Sequence, residues 1–202
     1  LEFRRVLFRS LAFNWLAANA PRGTIVNLSS ALTANQCAGP KNSVISDVVE
    51  SAIRAAYNAG IIVNIAACND GCNTAYYTPT RQSESFVVGA TDSTRLALGQ
   101  DAKASYSRTG SNISAFAPGT SVSVLNLNGQ TTIDSGTSLS APYVAGIFAI
   151  ACQGVAPYCS QANTGDIYNN FKNGAGTLGT VTESNGTPLI GATSRFVTKQ
   201  SW

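Results

Sequence analysis

Three short apolar runs of strand length stand out along the chain: Thr24–Leu28, Ile61–Ala67 and Phe86–Ala90. Between the first two lies Ser43–Ala59, where Val44, Ile45, Val48, Val49, Ile53 and Ala56 recur at helical spacing. Gly60 follows as a natural helix stop. Strand, helix and strand with short connections form a βαβ unit, which predicts parallel neighbours and a right-handed crossover. Leu11–Ala20 reads as the end of a helix, broken by Pro21-Arg22-Gly23. The longest uncharged apolar run is Ala141–Cys152, preceded by the small residues Ser135-Gly136-Thr137-Ser138. That pattern predicts a tight turn delivering hydroxyls to the start of a buried helix.

The remaining stretches are polar or short. Ser29–Pro40, Cys68–Thr80 and Asp92–Gly110 read as loops, the last containing Lys103 and Arg108. Ile113–Phe116 is a further strand, ended by Pro118-Gly119. Val122–Asn126 and Thr131–Ile133 form a hairpin through a turn containing Asn128-Gly129. Asn163–Phe171 reads as a helix. Leu189–Ile190 and Arg195–Thr198 are candidate strands in a turn-rich tail. With 202 residues, 44% hydrophobic and 11% charged, the chain has the composition of one globular domain. No apolar run reaches the roughly 20 residues of a membrane helix.

The first ten residues change the charge argument. Leu1–Ser10 matches the translation of a common sequencing adaptor, and the chain contains no Met. Residues 1–10 are therefore read as foreign, leaving 11–202 as the domain. Three Arg and one Glu fall in the leader, so 10 basic and 9 acidic residues remain, a net of +1. That excludes a basic surface for nucleic acid or membrane. The five cysteines suggest two local disulfides, Cys68–Cys72 and Cys152–Cys159, with Cys37 left over, as in a secreted protein. Zinc is disfavoured, because there is no His and no C-x-x-C pair.

In open α/β sheets, ligands bind beyond the carboxyl ends of the strands. The loops after Thr24–Leu28 and Ile61–Ala67 and the turn bearing Ser138 should meet there. Each residue alone has a plain structural reading: Thr137 or Ser138 as a helix N-cap, and Asn69 as a turn residue in Asn-Asp-Gly. Together, the segments resemble the subtilisin-like serine proteases, nearest the proteinase K branch. Gly136–Gly146 (GTSLSAPYVAG) matches that family's nucleophile motif except at Leu139, where the family has Met. Ala66-Ala67-Cys68-Asn69, Val88–Asp92 and Phe116–Thr120 match further landmarks in order.

The resemblance implies a three-layer α/β fold with a mostly parallel central sheet, its N-terminal strands missing from this chain. It implies that Ser138 is the nucleophile and that Asn69 and the Ser138 N–H hold the oxyanion. Ser29, Ser30 and Ala31 on one side, Ala66, Ala67 and Cys68 on the other, with Gly136 and Thr137, would bind an extended polypeptide. It further implies a cis Thr78–Pro79 bond, a secreted monomeric parent, and no required cofactor. Ser114 stands where the branch often has a calcium-binding Asp, so a calcium site is not carried over.

Three departures matter. Cys68 replaces a family Gly, and Ala31-Leu32 replaces a Gly pair. More seriously, the family nucleophile needs a His oriented by an Asp, and this chain has no His. It is therefore expected to be inactive alone, as part of a longer endopeptidase. The alternative is a subtilisin-fold binding or regulatory module without catalysis.

Overall fold

The computed structural model describes residues 2–92, 101–154, 159, 162–173, 177–181 and 195–197. The chain opens with α1 (Glu2–Asn19), which runs unbroken through position 10. β1 (Ile25–Leu28), α2 (Asp47–Asn58) and β2 (Ile62–Ala66) follow as the expected βαβ unit, with β1 and β2 parallel. Then come β3 (Phe86–Asp92), the short β4 (Ala102–Lys103) and β5 (Ile113–Pro118). The hairpin is β6 (Val122–Leu125) and β7 (Thr131–Asp134), antiparallel as predicted. α3 (Thr137–Gly154), α4 (Thr164–Asn173), β8 (Thr177–Thr180) and β9 (Arg195–Val197) complete the described elements. The predicted strand at Leu189–Ile190 lies outside the described residues.

Among the described residues, the main sheet has the order β1-β2-β3-β5-β9-β8, with β4 paired to β3. β1, β2, β3, β5 and β9 are parallel; β4 and β8 run antiparallel to their neighbours. Alternation along β2 explains the layering. Ile61, Val63 and Ile65 face α1 and α2, packing with Phe13, Val49 and Ile53. Ile62 and Ala66 face the other way, with Phe86 and Val88 of β3, against Val144 and Phe148 of α3 and Ile167, Tyr168 and Phe171 of α4. A strand buried on both faces reads as a continuous apolar run, as Ile61–Ala67 does.

α2 corrects the expected start of its helix. Val44 and Ile45 lie outside it, because the backbone of Val44 is committed elsewhere. Its N–H donates to Tyr76 O at 2.7 Å, and its carbonyl accepts from Thr78 N–H at 2.9 Å. Val48 is exposed, and the buried face is Val49, Ala52, Ile53 and Ala56. The helix end matches expectation. Gly60 has φ +92° and donates to Tyr57 O, while Ile61 N–H reaches back to Ala56 O at 3.0 Å. These two bonds make a Schellman stop.

Among the described residues, exposed apolar side chains lie on α1, α3 and the hairpin. Tyr143 and Ile150 of α3 are 42% and 45% exposed, and Leu125, Leu127 and Ile133 of the hairpin are open to solvent. β1, paired only with β2 among the described strands, forms the adjacent sheet edge.

Candidate active site

The carboxyl ends of β1 and β2 and the first turn of α3 converge. At the end of β2, Ala66 and Ala67 are buried, and Ala67 N–H donates to Val88 O. Cys68 follows with φ +92°, a conformation that favours glycine. Its N–H donates to Thr137 Oγ1 at 3.0 Å. The Thr137 hydroxyl in turn donates to Asn69 Oδ1 at 2.8 Å, and the Thr137 N–H donates to the same oxygen at 2.9 Å. Both capacities of one hydroxyl are thus used to tie this loop to α3.

Neither Thr137 nor Ser138 acts as the N-cap that a plain helix start would need. Asn69 takes that role from another loop, bonding the first helical N–H. With its oxygen occupied twice, its Nδ2 donors have no partner among the described residues. Gly136 makes room for them: a Cβ there would sit 3.1 Å from Asn69 Nδ2. Ser138 is exposed in the first turn, where backbone N–H groups are unpaired and the helix dipole is positive. Its hydroxyl has no hydrogen-bond partner among the described residues.

Ser29, just past β1, touches the same turn. Pro142 has no N–H, so the Ser138 carbonyl lacks its partner one helical turn on. The Ser29 hydroxyl donates to that carbonyl at 3.1 Å. Ser30 is contacted by the Arg9 guanidinium of α1, and Ala31 follows, half-buried. On the far side, Gly119 closes against α3. A Cβ there would meet Ser140 Oγ at 2.2 Å and Ala90 Cβ at 2.6 Å. This close approach accounts for the glycine in Phe116–Thr120.

Of the residues singled out from sequence, Asn69, Cys68, Thr137 and Gly136 come together, with Ser29 bonded to Ser138. Ala66 and Ala67 are packed beneath them rather than open to solvent. Sequence reasoning missed the charged pair behind this loop. Arg108, fully buried, donates from Nε and Nη2 to the Asp70 carboxylate at 2.7 and 2.6 Å. Its guanidinium carbon lies 3.6 Å from the Tyr77 ring centroid. The only available signal was two opposite charges in two loops, with no spacing rule to join them.

The cysteine expectation is half corrected. Cys152–Cys159 is formed, but Cys72 pairs with Cys37, and Cys68 is free. Asp70 Oδ1 accepts from Cys72 N–H at 3.2 Å and turns the loop. Cys72 is thereby buried with Ala38 and Tyr77, while Cys68 stays at the site. Thr78–Pro79 is cis. The residues present do not fit a calcium site at Ser114. Its hydroxyl is buried and accepts from Val87 N–H at 3.1 Å, and no group of three His, Cys, Asp or Glu gathers among the described residues.

Comparison with known proteins decides the family. Peptidase S8, the subtilase family, matches residues 12–185. The chain is a subtilase. It is 31% identical over 155 residues to proteinase T of Parengyodontium album, covering 74% of this chain and 47% of that one. It is 32% identical over 142 residues to an extracellular serine proteinase of a Thermus species, covering 69% and 30%. In fold, it matches a cold-adapted subtilisin-like serine proteinase with a TM-score of 0.73 at 23% identity, covering 95% of this chain and 61% of that one. This subtilase thus spans less than half the length of those two sequence relatives, and its likeness to proteinase T bears out the proteinase K branch.

The Asp70–Arg108 pair should make the stability of the subtilase sensitive to acid. Burial works against the Asp70 carboxylate, but the Arg108 hydrogen bonds and charge outweigh it and hold its pKa below the ordinary value. A depressed folded pKa means stability that is present above the unfolded carboxylate pKa and lost as pH falls through the folded one. The stability advantage of the native chain over Asp70→Asn should therefore be full at pH ~7 and shrink below pH ~4. Urea unfolding of both chains across that range measures it. A gap that stays constant would count against the assignment.

Proposed function

We propose that this chain carries the nucleophile half of a secreted serine endopeptidase that acts on extended polypeptides. The observation that carries the reading is the first turn of α3. An exposed Ser138 hydroxyl sits there beside an Asn69 amide whose oxygen is occupied, and neither that hydroxyl nor the Asn69 N–H groups have a partner among the described residues.

Ser138 Oγ attacks the scissile carbonyl carbon, and its proton passes to a base. The Asn69 Nδ2–H and the Ser138 N–H stabilise the oxyanion. The C–N bond then breaks, the amine leaves protonated, and water releases the acyl group. Ser29–Ala31 and Cys68 flank the substrate backbone, with Gly136 and Thr137 at the base of the groove and Ala66 and Ala67 packed beneath it. The base and its orienting carboxylate come from residues outside this chain, since it has no His. Residues 11–202 are the C-terminal part of the catalytic domain, a reading supported by the family match over residues 12–185. Secretion is supported by the extracellular naming of the Thermus relative. No cofactor takes part in these steps, and the parent acts as a monomer on protein rather than nucleic acid or membrane.

Cys68, Ala31 and Leu32 favour a second reading, a subtilase-fold binding module. The two differ in the reactivity of Ser138. The chain alone should show no turnover of a peptide p-nitroanilide. With added imidazole as a substitute base, a p-nitrophenyl ester should acylate it once, detected as a mass increase. Equal labelling of Ser138→Ala would rule out Ser138 as nucleophile and leave the binding module. Turnover of the peptide substrate without imidazole would refute the need for an external base.

A further inference from the structure

We infer that Arg108 is a positioning residue for the Asn69 amide, an inference that rests on the oxyanion role proposed above. Asn69 is one residue from two points that Arg108 holds. The Arg108 N–H donates to Cys68 O at 3.1 Å on one side. Its guanidinium grips the Asp70 carboxylate with two bonds on the other. The loop between them has no freedom to slide, and the Asn69 side chain is delivered to Thr137 from a fixed base.

The same guanidinium reaches a third segment. Nη2 also donates to Leu32 O at 2.9 Å, the residue that follows the Ser29–Ala31 wall. One buried, planar cation therefore sets the amide loop and the opposite wall of the groove relative to one another. A guanidinium suits this task because its donors form a rigid fork, and the Tyr77 ring face fixes the plane of that fork. A lysine at this place would present its three donors from a single nitrogen, with no fixed plane and no separated arms to span the partners.

A merely structural Arg108 would affect melting but not the environment of one exposed side-chain amide. The test is therefore the NMR position of the Asn69 Nδ2–H pair in the ¹⁵N-labelled 202-residue chain, assigned by its loss in Asn69→Asp. Asp70→Asn and Arg108→Met should each move this pair toward its position in Thr137→Val, where the tie to α3 is broken. Arg108→Lys, which keeps the charge, should move it less. Tyr168→Phe, which loses its bonds to Val63 far from the loop, should leave it in place. If Arg108→Met does not fold, Asp70→Asn carries the comparison.

An Asn69 pair that stays put in a folded Asp70→Asn or Arg108→Met chain overturns the proposal. So does a Tyr168→Phe chain that moves it equally. The imidazole-supported acylation of Ser138 is read in parallel, and it should fall about tenfold in Asp70→Asn. If the unsubstituted chain is not acylated at all, the Ser138 reading fails, while the shift comparison still decides whether Arg108 holds the amide.

Discussion

Replacing Asp70 by Ala is expected to destabilise the chain by about 3–5 kcal/mol, the usual cost of removing one partner of a buried ion pair. The size follows from the asymmetry of the pair. Asp70 retains some contact with water, but Arg108 is fully buried, and Asp70 is its only ion-pair partner among the described residues. Without the carboxylate, the guanidinium keeps the Leu32 carbonyl and the Tyr77 ring, which supply dipole and quadrupole but no countercharge. Urea denaturation at neutral pH measures the loss, and a change under about 1 kcal/mol would mean that water reaches the guanidinium. Asp70→Ala/Arg108→Met should recover part of the loss, since an apolar side chain of similar length leaves no buried charge.

Breaking the Cys37–Cys72 disulfide should cost about 3–4 kcal/mol, on the loop-entropy scale for two residues 35 apart. This bond joins the loop after the Ser29–Ala31 wall to the loop carrying Asn69. Cys37→Ser/Cys72→Ser should therefore melt lower than the native chain and loosen both loops together. Cys152–Cys159, closing only seven residues, should matter less. Peptide mapping without reduction should recover Cys37 with Cys72 and leave Cys68 as the thiol that alkylates. A Cys68–Cys72 peptide would overturn the assignment. The two losses should not simply add, because Asp70 and Cys72 share a loop and a hydrogen bond.

How much of this was legible beforehand depended on the range of the force involved. β2 and β3 declare themselves as apolar runs because the sheet buries both faces, while β1, at the sheet edge and only half-buried, shows as a shorter run broken by Asn27. The stop of α2 is local too: one glycine, with its bonds to Tyr57 and Ala56. The start of α2 was misread because Val44 obeys a partner 33 residues away, Tyr77, which no periodicity reveals. The cysteines failed for the same reason. Cys68 and Cys72 are neighbours in sequence, but Asp70 turns the chain between them, and burial with Ala38 carries Cys72 toward Cys37.

The site was legible in its residue types and order, through a motif that extends from Gly136 to Gly146. What the motif did not carry is how the parts are held. Thr137 was expected as part of the groove, yet its hydroxyl bridges Cys68 and Asn69 as well. Arg108 was simply a charge in a loop, because nothing local to residue 108 records that its countercharge lies at residue 70. Burial of a cation is a tertiary fact, and sequence alone showed only that one was present.

Pro142 has a mechanical consequence for the proposed nucleophile. In an uninterrupted helix, the Ser138 carbonyl would be bonded within α3 and indifferent to its surroundings. Here its hydrogen bond comes from Ser29, on a different element of the fold. The first turn of α3 is thereby anchored from outside its own helix, and the position of Ser138 depends on the loop that follows β1.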